Sequence, residues 1–192
     1  GAEGVIRFAE SVSSPGQVGH ALGIIADSVI ERTLLPHFLV SANNSCKALV
    51  SGFIWRRYYL KGWVWCDDIN RSNWTPEQVG QFLVCLPFTK ETWDRASEWL
   101  QAHESEYWTR TGANAYQADG DLAIAIEKLI EHGRPHAAIN CLDRMRHDKT
   151  PIDSNQCVRA LLAALSSSEP SYAMDGYHIV ELIKFLQEEP SV

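Results

Sequence analysis

The chain has 192 residues, 45% of them hydrophobic, with 12 Gly and 8 Pro, which is enough apolar surface for a packed core and too little Gly and Pro for wholesale disorder. Its net charge of −7, from 17 basic and 24 acidic side chains, argues against binding along a nucleic-acid backbone, which needs a positive field. No run of 18 apolar residues and no basic–apolar–small leader occurs, so neither a membrane span nor a signal peptide is expected.

The start, Gly1-Ala2-Glu3-Gly4, lacks Met and reads as a cut inside a larger protein. Val5, Ile6, Phe8 and Val12 suit a short helix or an ordered arm. Ser14-Pro15-Gly16-Gln17 opens a helix, with Ser14 as N-cap, Pro15 in the first position and Gln17 three residues after the cap. Val18, Ala21, Leu22, Ile25 and Val29 continue one apolar stripe to about Thr33. Pro36 breaks the apolar run Leu34 to Val40 into a bent or second short helix. Asn43-Asn44-Ser45 is a turn and cap, and Cys46 to Leu60 reads as a helix with Leu49, Val50, Phe53 and Ile54 inward. Lys61 to Asp68 alternates and is rich in aromatic residues, which predicts loop or extended chain. Thr75-Pro76-Glu77-Gln78 is a capping box ahead of Val79, Phe82, Leu83 and Leu86. Thr89 caps the next helix, with Trp93, Ala96, Trp99 and Leu100 inward. Glu104 to Arg110 is one more short helix, and Gly112 to Ala118 a linker.

Asp121 to His132 is the clearest helix: Leu122, Ile126, Leu129 and Ile130 share one face, and Asp119 and Asp121 place negative charge at its start. Gly133 supplies a left-handed end and Pro135 the first residue of a second helix through Ala138, Cys141, Leu142 and Met145. Two such helices joined by about three residues lie antiparallel and share their apolar faces. Asp153, with Gln156 at the third position, caps a helix on which Val158, Leu161, Leu162 and Leu165 repeat the pattern. Ser166 to Ser171 is a polar loop, and the last helix, from about Met174 to Glu188, turns Ile179, Leu182, Ile183 and Leu186 inward. Pairs start near 76, 121 and 154, at intervals of 45 and 33 residues, within the range of helical-hairpin repeats. The expected fold is all-α: a right-handed stack of antiparallel hairpins, solenoid-like or an irregular bundle, with an irregular aromatic segment near 61–74. It is expected as one domain over 1–192, with possible sub-units 14–74, 75–118 and 119–192.

Leu122 to Met145, around the run Leu-Ile-Glu-His-Gly-Arg-Pro-His-Ala-Ala-Ile-Asn-Cys-Leu from Leu129 to Leu142, resembles the hairpins of tetratricopeptide- and HEAT-like α-solenoids. The resemblance covers the C-terminal half and implies a scaffold that binds other proteins.

Signatures of chemistry are sparse. None of Cys46, Cys66, Cys85, Cys141 and Cys157 forms a C-x-x-C pair, which points to reduced, packed thiols in a cytoplasmic protein. His132 and His136 straddle Gly133 and Pro135 and so do not share a helix face for a metal. Cys66-Asp67-Asp68 reads as an exposed acidic loop before it reads as a thiol site. The common nucleotide-binding and hydrolase motifs are missing, and neither cofactor nor metal is expected. All seven Trp lie between Trp55 and Trp108. Trp, Tyr and Arg are typical interface anchors, so Arg56, Tyr59, Trp63, Trp65 and Trp74 are the candidate contacts, unless these rings form a second aromatic core. The leading expectation is an interaction module that takes a protein partner, and neither nucleic acid nor membrane, in a groove between helices. The alternatives are a small-molecule or enzymatic pocket beside the aromatic segment 55–74, and a structural spacer.

Overall fold

A computed structural model describes residues 2–118, 120, 122–171 and 174–188. Among them the chain is all-helical, without strands: α1 (Ala2–Ser11), α2 (Pro15–Ile25), α3 (Ser28–Leu34), α4 (Asn44–Asp68), α5 (Pro76–Val84), α6 (Lys90–Leu100), α7 (Ser105–Trp108), α8 (Leu122–Glu131), α9 (Pro135–His147), α10 (Ser154–Ala164) and α11 (Asp175–Glu188). The predicted cap residues Asp119 and Asp121 lie outside the described residues. The helices form two compact units. The first comprises Gly1–Pro87 and Glu98–Tyr107, the second Phe88–Ser97 and Trp108–Val192.

In the first unit, α2 packs along α4 by its glycines. A Cβ on Gly19 would lie 1.8 Å from the Leu49 carbonyl oxygen, and one on Gly52 would lie 2.0 Å from that of Gly16. The helix backbones therefore touch, a contact that only a residue without a side chain permits. This replaces the predicted inward stripe, since Ala21, Ile25 and Val29 are exposed. The predicted single helix is two: α2 stops at Ile25, and Asp27 caps α3 by accepting from the Val29 and Ile30 N–H groups. The Ile30 N–H, ahead of the other contacts, holds the Asp27 carboxyl below its usual range. Ser14 makes no side-chain capping bond, whereas Asn43 caps α4 through the Ser45 and Cys46 N–H groups.

Beyond Lys61 the chain is not extended. Gly62, at φ 62°, breaks α4, and helix resumes to Asp68. That turn sends the Trp65 ring into the core, where it meets Phe53 at 6.4 Å and Phe82 at 5.9 Å. The capping box at Thr75 and Gln78 forms as expected. Arg71 lies 3.7 Å over the Trp99 ring, a cation–π contact that holds the 69–75 segment.

In the second unit, Phe88, Trp93 and Trp108 pack with centroids 4.9–6.4 Å apart. Thr89 holds α6 by its carbonyl, which accepts from the Thr92 and Trp93 N–H groups, while its hydroxyl has no hydrogen-bond partner among the described residues. Gly133 adopts φ 71° and ends α8, with the Arg134 N–H donating to the Leu129 carbonyl at 2.8 Å. Leu122, Ile126 and Leu129 of α8 are buried against Ile139, Cys141 and Leu142 of α9. The next pair lies alongside, each helix parallel to its counterpart. Gln156 Nε2 of α10 donates to the Ala123 carbonyl and Glu127 of α8, and Arg159 pairs with Glu127 at 2.7 Å. Arg159 first and Gln156 second hold the Glu127 carboxyl below its usual range. Across α9 and α11, Asn140 meets His178 at 2.6 Å and Arg146 faces Glu181 at 3.5 Å. Asp153 caps α10 through the Asn155 N–H as expected, while Gln156, at the third position, ties two helices together.

Candidate functional site

The five candidate residues of the aromatic segment separate into three environments. Trp65 is buried, and its indole N–H donates to Glu31 Oε2 at 2.8 Å. Glu31 also lies 3.7 Å from the buried Arg57, which donates to the Ala26 carbonyl. Trp65 is therefore a core ring and offers no face to a partner. Tyr59 is exposed on α4, whereas Arg56 and Trp63 are half-buried: the Arg56 stem packs against Gly23 of α2 while its guanidinium sits over the Tyr59 ring at 5.4 Å, and Trp63 meets Tyr58 edge-on at 5.2 Å. Trp74 is half-buried, with its ring 5.7 Å from Phe82, and it lines a cleft.

That cleft, about 570 Å³, is walled by Glu31, Arg32, Leu35, Pro36 and His37 on one side and by Asp68, Ile69, Asn70, Ser72, Asn73 and Trp74 on the other. The loop is fixed by its own bonds: Asn70 Oδ1 accepts from the Ser72 N–H at 3.0 Å, and the Trp74 N–H donates to the Arg71 carbonyl at 2.9 Å. The lining mixes carboxylates, amides and cations and carries little net charge.

A second concave surface lies in the second unit and is chemically the opposite. Helix α10 buries its small face, Cys157 and Ala160, and leaves its large side chains outside. Val158, Leu162 and Leu165 are 41%, 62% and 84% exposed, and Ile183 of α11 is 43% exposed. With the half-buried Leu161 and Ile179 they line an apolar groove of about 320 Å³ between α10 and α11. The predicted inward setting of Ile183 is thus corrected, because nothing packs over this end of the hairpin among the described residues. Apolar surface exposed as one stripe costs about 25 cal/mol per Å² against burial, which makes it unusual unless something binds there. One polar residue reaches the groove: His136 at the start of α9, whose Nδ1 lies 3.1 Å from Asp175 Oδ2 behind it.

The loop after α10 is also built inward. Glu169 accepts from the His136 N–H at 2.7 Å and from the Ala137 N–H at 3.4 Å, and its other oxygen pairs with Arg134 Nε at 2.6 Å. Arg134 also donates to the Trp108 and Thr111 carbonyls. A carboxylate from a distant loop thus caps α9, where the helix dipole favours negative charge. Nothing in the polar run Ser166 to Ser171 separates this Glu from a solvated one.

None of the five cysteines forms a disulfide, and Cys46, Cys66, Cys141 and Cys157 are buried. Burial pushes the Cys85 thiol up to about 11 and the Cys141 thiol to about 12, the opposite of what a nucleophile needs. Among the described residues no group of three or more His, Cys, Asp or Glu could hold a metal ion, and no helix is long and apolar enough to cross a membrane. Comparison with protein-family models, curated proteins and solved structures finds no match.

Proposed function

We propose that this chain is a protein-interaction module whose α10–α11 groove receives an amphipathic helix of a partner protein. The observation that carries the reading is the outward row Val158, Leu162 and Leu165 facing Ile183. A helix presenting apolar residues at i, i+3, i+4 and i+7 fits such a trough, the usual helix-in-groove mode. The stacking of the two hairpins supports the same occupant. The step that lays α10 beside α8 and α11 beside α9 would, taken once more, lay a helix against the open face of α10 and α11. His136 adds one polar contact to an apolar seat, a source of register rather than affinity. The exposed Tyr59, with the half-buried Arg56 and Trp63 beside it on α4, is a second contact surface within the same reading, and the likeness to α-solenoid scaffolds points the same way. We place this activity in the cytoplasm.

The test is site-specific photo-crosslinking from position 158 of the full chain, with the crosslinked peptides sequenced. The expected product is a segment with apolar residues at helical spacing, lost at least tenfold in a Leu162→Lys/Leu165→Lys variant whose melting temperature is unchanged. Crosslinks only to this chain's own peptides, or unchanged yield in the double variant, would overturn the reading. A Tyr59→Ala/Trp63→Ala variant reports separately on the α4 surface.

A further inference from the structure

The cleft of the first unit is unused by that proposal and has a different chemistry. We propose that it is a binding site for a neutral sugar of one or two rings, with Trp74 as the stacking wall. The inference rests on four observations taken together.

The first is the wall. Trp74 is half-buried and lines the cleft, and its ring packs at 73° on the fully buried Phe82, which fixes it before any ligand arrives. An indole face attracts the slightly positive C–H face of a pyranose as it attracts other positive edges. The second is the polar rim: Glu31, Arg32, Asp68 and Asn73 supply acceptors and donors in one cleft. Sugar hydroxyls both donate and accept, so a ligand of this class satisfies both kinds of group, whereas a one-sided ligand leaves half of them unpaired. The third is preorganisation. Glu31 is held from behind by the Trp65 indole N–H at 2.8 Å and faces Arg57 at 3.7 Å, so its carboxylate keeps its place without ligand. The fourth is size: about 570 Å³ lies within the 300–1,000 Å³ range of small-molecule sites.

The same residues disfavour the competitors. Two carboxylates against the single guanidinium of Arg32 oppose a phosphorylated ligand, since phosphate sites gather cations and backbone N–H groups. Arg32 on the wall opposes a polyamine, which would otherwise suit Trp74 and the carboxylates. The polar rim opposes a purely apolar molecule, because filling the cleft with one would strip water from groups left without partners.

The experiment is saturation-transfer difference NMR on the full chain with a panel of neutral mono- and disaccharides: glucose, galactose, mannose, xylose, N-acetylglucosamine and their β-1,4 disaccharides. Glucose 6-phosphate and spermidine are the competing arms. The expected result is transfer to the ring C–H protons of at least one neutral sugar. That signal should fall at least fivefold in Trp74→Ala and in Asp68→Asn, and be unaffected in the Leu162→Lys/Leu165→Lys variant. Asp68→Asn keeps shape and is exposed, so it reports on binding even if Trp74→Ala perturbs the fold. No transfer from any neutral sugar would overturn the proposal. Transfer that survives both cleft variants would also overturn it, as would spermidine or glucose 6-phosphate binding there more strongly than every sugar. None of these outcomes bears on the α10–α11 groove, so the two proposals fail independently.

Discussion

Glu169 holds Arg134 and the first N–H groups of α9 at once, and its side chain is only 4% exposed. Removing one partner of such a buried pair leaves the other charge unpaired, which costs about 3–5 kcal/mol. Glu169→Ala is therefore expected to lower stability by about 3 kcal/mol, read as a shift in the urea midpoint, whereas a Glu169→Leu/Arg134→Met pair should cost less. The thiols give a second residue-level expectation. Burial raises the Cys141 proton affinity from an ordinary 9.0 to about 12 in the fold. Below pH 9 both states keep the proton and the contribution is intact. As pH rises further the unfolded chain ionises first, so stability falls between about pH 9 and pH 12. Cys141→Ala should flatten that alkaline slope in chemical denaturation, and native protein should react with thiol reagents far more slowly at Cys141 than unfolded protein does. The residues easiest to place from sequence were those whose role is local: Thr75 with Gln78, Asn43, Gly133 and Pro135 all act within one turn. Glu169, Gln156 and Trp65 were not legible, because their partners lie 29 to 35 residues away.

At the scale of single elements, helix existence followed from apolar spacing, but the buried face did not always. In α8 the large stripe is the buried one. In α10 an equally clear stripe faces outward while Cys157 and Ala160 pack. Periodicity states that a helix has an apolar side, not what covers it, so the groove could not be read in advance. The α2 case is the converse: a helix packed through glycines hides its contact from any count of large side chains. Gly19→Ala is expected to destabilise by about 2–3 kcal/mol, since Leu49's backbone must move, whereas Gly112→Ala, with open space around its Cβ, should stay within about 0.5 kcal/mol. Thermal or urea unfolding of the two variants decides this. The break in α4 at Gly62 went unpredicted for a related reason. The alternation of Lys61 to Asp68 mimics a strand, and one residue with positive φ restores helix on the far side.

At the scale of the whole molecule, the all-helical class and the α8–α9 hairpin were fully visible in the sequence, and the two-unit organisation was not. Its boundary falls inside α6, whose residues to Ser97 belong to one unit and from Glu98 to the other. No compositional shift marks that point, because one continuous amphipathic helix serves both. A chain ended after Pro87 would lose Leu100 and Tyr107, both buried, and Glu106, which abuts Gly80. It is expected to show no cooperative melting transition by circular dichroism, although it contains every helix through α5.

The passage of α6 from one core to the other has a consequence for how such a chain can be altered. The polypeptide changes allegiance after 87, after 97 and again after 107, so neither half exists as an uninterrupted stretch. No single recombination junction between 88 and 107 hands over one intact half, and a cassette exchange must carry both strands of the stitch. Either unit can be exchanged only by moving both of its segments together.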